Sequence, residues 1–106
     1  MEQGQGKELR RYRRVPFAGA AVVVSTEEIR MLAVRDIGAG GAFLLSPRSP
    51  QVGSPVRVEL ELAARRFTAT GLVIRDETTG APEERAGFAV RFDRPDEAIE
   101  STGLVP

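Results

Sequence analysis

Val56-Arg57-Val58-Glu59-Leu60-Glu61-Leu62 alternates without a break, with four aliphatic side chains on one face and three charges between them. A period of two is the period of a β-strand, whose successive side chains point to opposite faces. A helix would scatter the same residues around its circumference. The stretch is therefore read as a strand of an antiparallel sheet with one buried and one wet side.

The same logic extends in both directions. Downstream, Phe67 to Arg75 is a strand reached through a tight connection over Ala63 to Arg66, and Arg85 to Phe92 repeats the alternation with Phe88, Val90 and Phe92 inward. Asp76 to Glu84 is a polar loop, expected to be mobile. Upstream, the chain reads as β from Val15, with Ala20 to Val24 rich in β-branched residues, and Ile29 to Ile37 follows after a turn over Ser25 to Glu28. Past the glycines of Gly38 to Gly41, Ala42 to Leu45 is a short strand closed by Ser46-Pro47-Arg48-Ser49-Pro50, where proline blocks further pairing. Pro95 to Glu100 carries proline and acids where a first helical turn favours them, and predicts a short helix. Six short strands with regular turn signals imply a mostly β, small six-stranded antiparallel barrel, closed or nearly so.

The chain has 106 residues, enough for one domain and one core. With 42% hydrophobic residues spread along it, it is expected to fold, with modest stability. It has no cysteine and no histidine. Disulfide frameworks, Cys or His metal sites, thiol nucleophiles and imidazole bases are thereby excluded. Asp36, Glu59, Glu61, Asp76 and Asp93 show no paired spacing suited to general acid and base roles, so no enzyme is expected. Residues 1–14 lack the apolar run of a secretory signal, and no stretch has the length of a membrane helix, so a soluble cytoplasmic protein is expected.

Fifteen basic and fifteen acidic residues cancel over the whole chain but not locally. Residues 1–9, rich in Gly and Gln, are expected to form a flexible leader, with the folded domain occupying 10–106. Arg10-Arg11-Tyr12-Arg13-Arg14 then places four guanidinium groups directly before the first strand. Guanidinium is flat, permanently charged and forked, suited to phosphate oxygens, to the O6 and N7 edge of guanine, or to stacking on a base. The cluster is either such a grip or a solvated basic linker. In Asp36-Ile37-Gly38-Ala39-Gly40-Gly41 a carboxylate at a strand end precedes three glycines. The glycines serve either a tight turn or the close approach of a ligand to main-chain N–H groups, while a carboxylate can accept from the N1–H and N2–H edge of guanine.

Together these two constellations resemble the PilZ domain family, in which an R-x-x-x-R motif and a [D/N]-x-S-x-x-G motif bind cyclic di-GMP. Arg10-x-x-x-Arg14 followed by Val15-Pro16 matches the first, and Asp36-x-Gly38-x-x-Gly41 matches the second except at Gly38, where serine is usual. The 21 residues between Arg14 and Asp36 are also similar to the family's spacing. Gly53 to Leu62 resembles the family's "G-x-x-V-x-L-x-L" strand, and Ala86 to Phe92 its closing "G-v-r-F" strand, so the likeness covers nearly all of residues 10–100.

The resemblance implies a receptor that converts nothing. Arg10 and Arg14 would reach phosphates and guanine faces with Arg11 and Arg13 assisting, Asp36 would read a guanine edge, and Gly41 would permit close approach. Gly38 would lie near the ligand without the hydrogen bond of a serine hydroxyl, and Arg91 would either stand beside the ligand or be an exposed strand residue. Ligand binding would order the arginine arm and signal to a protein partner, with the domain a monomer or a dimer joined by the ligand. The alternative is a degenerate domain without nucleotide that acts as a protein adaptor. A DNA- or RNA-binding barrel is disfavoured, because a neutral chain with 6% aromatics lacks a wide basic surface and a stacking platform.

Overall fold

A computed structural model of the chain describes residues 14–62, 64–95 and 99. Six strands form a closed antiparallel barrel: β1 (Val15–Val24), β2 (Ile29–Gly38), β3 (Gly41–Leu45), β4 (Pro55–Leu62), β5 (Arg65–Glu77) and β6 (Gly87–Phe92). The order around the barrel is β1-β2-β3-β6-β5-β4. All neighbours are antiparallel, and the closing contact between β1 and β4 is short, joining Val22, Val23 and Val24 to Glu59, Val58 and Arg57. The expected mostly β barrel of six strands is the observed one.

Alternation builds the core as β4 foretold. Val56, Val58, Leu60 and Leu62 are buried, with exposed or half-buried charges between them. Leu32 and Val34 from β2, Ala42 and Leu44 from β3, and Phe88, Val90 and Phe92 from β6 meet them inside. Of the helix expected over Pro95 to Glu100, residues 96–98 and 100 lie outside the described residues, and Ile99 is buried in the core cluster. The expected leader over residues 1–9 also lies outside them.

Three boundaries differ from the expectation by two residues, each for a local reason. β5 starts at Arg65 rather than Phe67, because Ala64 takes a left-handed conformation (φ 65°) and turns the chain at once, so that Arg65 pairs with Leu62. β5 also continues to Glu77, two residues into the expected loop, because a register shift between Val73 and Arg75 lets Arg75, Asp76 and Glu77 pair with Ala89, Phe88 and Gly87. Finally, Arg85 belongs not to β6 but to a single 3-10 turn over Glu83–Arg85, where the amides of Arg85 and Ala86 both donate to the Pro82 carbonyl.

Candidate functional site

A bulge in β2 builds the site. Val34 pairs with Leu44 and Asp36 pairs with Phe43, so Arg35 is the extra residue. Such a bulge breaks the strict alternation of faces and re-aims side chains. Val34 and Ile37 both point inward, and Arg35 and Asp36 both end on the outer surface. β1 is irregular at the same level, with its own register shift between Pro16 and Gly19; proline lacks the N–H that a regular ladder needs. Pro16 pairs with Asp36, which carries the preceding Arg14 to the same place.

Arg14 Nε stands 3.4 Å from Asp36 Oδ1, and Arg35 Nε donates to Asp36 Oδ2 at 2.7 Å. The Asp36 side chain is only 16% exposed, and Oδ1 is a buried acceptor that receives no hydrogen bond from the described residues. Leaving a buried polar atom unsatisfied costs about 1–3 kcal/mol. An acceptor in this state, flanked by two guanidinium groups, is suited to taking a donor from outside.

Phe43 forms the floor beside it. The residue is fully buried although its neighbours Ala42 and Leu44, not Phe43, belong to the core cluster. Its ring crosses over Gly87 on the outer side of β6, where a Cβ would collide with it, and the Arg35 guanidinium covers it at 3.7 Å from the ring centre. That cation–π contact contributes about 0.5–1 kcal/mol at an exposed site. Arg35 was not among the residues singled out from the sequence, and only the bulge places it here.

Of the two roles open to the glycines, the structure shows the tight turn. Gly38 pairs with Gly41 across the two-residue tip Ala39-Gly40, so the motif is the β2–β3 hairpin itself. Its tip is tied down by the Phe92 amide, which donates to the Gly40 carbonyl at 2.9 Å. Among the described residues the glycines with positive φ are Gly53 and Gly80, neither of them in the cluster. Gly41 is required sterically, since a Cβ there would strike the backbone carbonyl of Val90. The close approach at Gly41 is therefore that of strand β6.

Of the residues singled out from the sequence, Arg14, Asp36, Gly38, Gly41 and Arg91 are described. Arg91 is exposed on β6, paired with Gly41, one outward position beyond the Ala89 that faces Phe43. It makes no ion pair among the described residues. Arg10, Arg11 and Arg13 lie outside them. What is assembled is a shallow outer surface with a buried carboxylate, two guanidinium groups on it, a third nearby and a flat aromatic floor. Such a surface can accept hydrogen bonds from a planar heterocycle and counter the charge of a phosphate.

Solved structures share this barrel. The chain is similar to the Borreliella burgdorferi PlzA protein, crystallised in complex with c-di-GMP, with a TM-score of 0.65 and 14% identity over 98% of this chain and 42% of that one. It thus spans less than half of PlzA. It is also similar to the PilZ domain of CeSA from a cellulose-synthesizing bacterium, with a TM-score of 0.60 and 17% identity over 85% of this chain and 89% of that one. No match was found among curated proteins. The family model of the PilZ domain matches residues 8–102, which include the hairpin, the bulge and all six strands, and the chain therefore belongs to the PilZ domain family.

Proposed function

We propose that this domain is a receptor for cyclic di-GMP. The observation that carries the proposal is the buried Oδ1 of Asp36, which lies between Arg14 and Arg35 and has no hydrogen-bond donor among the described residues. Guanine presents two adjacent N–H donors to such a carboxylate, and the diphosphate ring presents anionic oxygens to the arginines around it. Arg10 and Arg14, assisted by Arg11 and Arg13, grip phosphates and guanine faces, Asp36 reads a guanine edge, and Arg91 flanks the ligand across from Gly41. The complex of PlzA, part of whose fold this chain shares, with c-di-GMP supports this reading. No bond is made or broken. The output is the ordering of the arginine arm, which changes how the domain meets a protein partner in the cytoplasm.

Calorimetric titration at moderate salt tests the proposal, with GTP as control and an Arg10→Ala/Arg14→Ala variant in parallel. Saturable binding in about the low-micromolar range, lost in the double variant, is the expected result; a Kd of 1 μM corresponds to about 8 kcal/mol. Absence of heat from the unchanged chain would reject the receptor and leave a protein adaptor.

Gly38 supplies a second test. A serine there adds a hydroxyl beside the ligand, and one hydrogen bond contributes about 0.5–1.5 kcal/mol, up to tenfold in affinity. Gly38→Ser is therefore expected to lower the Kd for cyclic di-GMP by as much as tenfold in the same titration. Weaker binding would show that the site is built around glycine.

A further inference from the structure

On the outer surface across β4, β1 and β2, away from Asp36, the pairing registers set nine outward residues in a grid. Arg57, Val24 and Ile29 form one row, and Glu59, Val22 and Met31 the next. One step further come Glu61, Ala20 and Ala33, where β1 and β4 have parted and Ala20 still pairs with Ala33. Ala20, Val22, Met31, Glu59, Glu61 and Arg66 line one shallow depression in this surface. Ile29 and Met31 are 71% and 72% exposed, the two most exposed of the large apolar side chains described. Two such residues side by side, backed by Val22 and Val24, make a contiguous apolar patch of the kind that marks an interaction surface.

The arrangement of the grid selects its occupant. Consider a second copy stacked face to face, related by a two-fold axis that lies in the interface along the middle row. Each strand then covers its own counterpart with the row order reversed. Arg57 meets Glu61 of the other copy, Ile29 meets Ala33, and Val24 meets Ala20, while Val22 and Met31 each meet themselves. Positive faces negative and large faces small at both ends. Glu59 also meets itself, at the rim, where Arg57 Nε of its own strand already neutralises it at 2.8 Å. The other in-plane two-fold, parallel to the strands, would set the charges of β4 on the apolar side chains of β2. Isologous interfaces need this kind of self-complementarity, and a net charge of zero adds no repulsion between copies.

We infer that the outer β4-β1-β2 surface is a self-association interface, through which two copies pair about this axis without any nucleotide. Three strands of three outward residues are well below the area of a standard interface, so the dimer is weak, with a dissociation constant on the order of 0.1 mM. Sheet faces stack at about 10 Å, too far for a direct disulfide but within reach of a short bismaleimide.

Sedimentation equilibrium of the full chain without nucleotide, up to about 1 mM protein, is the test. A concentration-dependent dimer is expected. Met31→Lys should weaken it at least tenfold while leaving the melting temperature nearly unchanged, because Met31 is exposed. Arg57→Glu and Glu61→Arg should each weaken it several-fold, and the combined swap should restore it. In a chain without cysteine, Met31→Cys should give a bismaleimide-linked dimer, whereas Ile74→Cys, on β5, should not. A strictly monomeric chain at the highest concentration would overturn the inference. So would a dimer indifferent to Met31→Lys, or single charge variants that the swap fails to rescue.

Discussion

Asp36→Ala is expected to weaken the binding of cyclic di-GMP by about 10- to 100-fold, with little change in the stability of the barrel. A hydrogen bond to a charged group contributes about 1.5–3 kcal/mol, and each 1.4 kcal/mol is a factor of ten in Kd. The alanine variant loses both carboxylate oxygens, including the acceptor that lacks a donor among the described residues. Its effect on folding is small for a separate reason. The two ion pairs it removes among the described residues involve Arg14 and Arg35, with side chains 30% and 45% exposed, and pairs near the surface are worth about 0–1 kcal/mol after screening. Removing the carboxylate also removes the unsatisfied oxygen, which offsets part of the loss. Calorimetry and a thermal melt on the same preparation separate the two effects. Asp36→Asn is the informative companion, because it keeps one acceptor oxygen while losing the charge, and its affinity should fall between the two. Unchanged affinity in the alanine variant would mean that the ligand does not use this carboxylate.

The barrel was legible from the sequence wherever one face is wet. On β4 the charges between Val56, Val58, Leu60 and Leu62 announce the strand and its inward side together, while on β6, whose outer face is wet only at Arg91, the spacing of Phe88, Val90 and Phe92 marks the inward side. Legibility fails where the outer face is also covered. Phe43 stands in an unbroken apolar run, Gly41 to Leu45, that carries no periodicity, and its position outside the core under Arg35 depends on Gly87, over forty residues away. Bulges are equally silent. Strict alternation would send Arg35 and Asp36 to opposite faces, and only the shifted pairing with β3 brings both outward to form the site. Asp36 and Arg14 were thus visible as residue types at motif positions, while Arg35, the second guanidinium on the carboxylate, was not. For Arg10, Arg11 and Arg13 the motif remains the whole basis, because they lie outside the described residues.

Gly41→Ala should lower the melting temperature of the domain by about 5–20 °C without a ligand present. A methyl group at this position would occupy the space of the Val90 carbonyl in the neighbouring strand, and backbone in the middle of a ladder cannot rotate aside as a side chain can. Relief requires β3 and β6 to separate, and they form the wall between the Asp36 hairpin and Arg91. Overpacking of this kind costs about 1–3 kcal/mol, and each kcal/mol moves the midpoint of a domain this size by about 4–8 °C. The control is Gly53→Ala, where no atom lies within 4 Å of the added methyl and the cost comes only from the positive φ of 93°. That cost is a left-handed residue's roughly 1–2 kcal/mol, so a drop at Gly41 equal to or larger than the one at Gly53 is the expected order. A Gly41→Ala domain that melts like the unchanged chain would show that the strands can part at this point, and the glycine would then have to be explained by the ligand. If it melts early, reduced cyclic di-GMP affinity in that variant reports a displaced β6 and Arg91, and the motif glycine acts through the wall it allows to close.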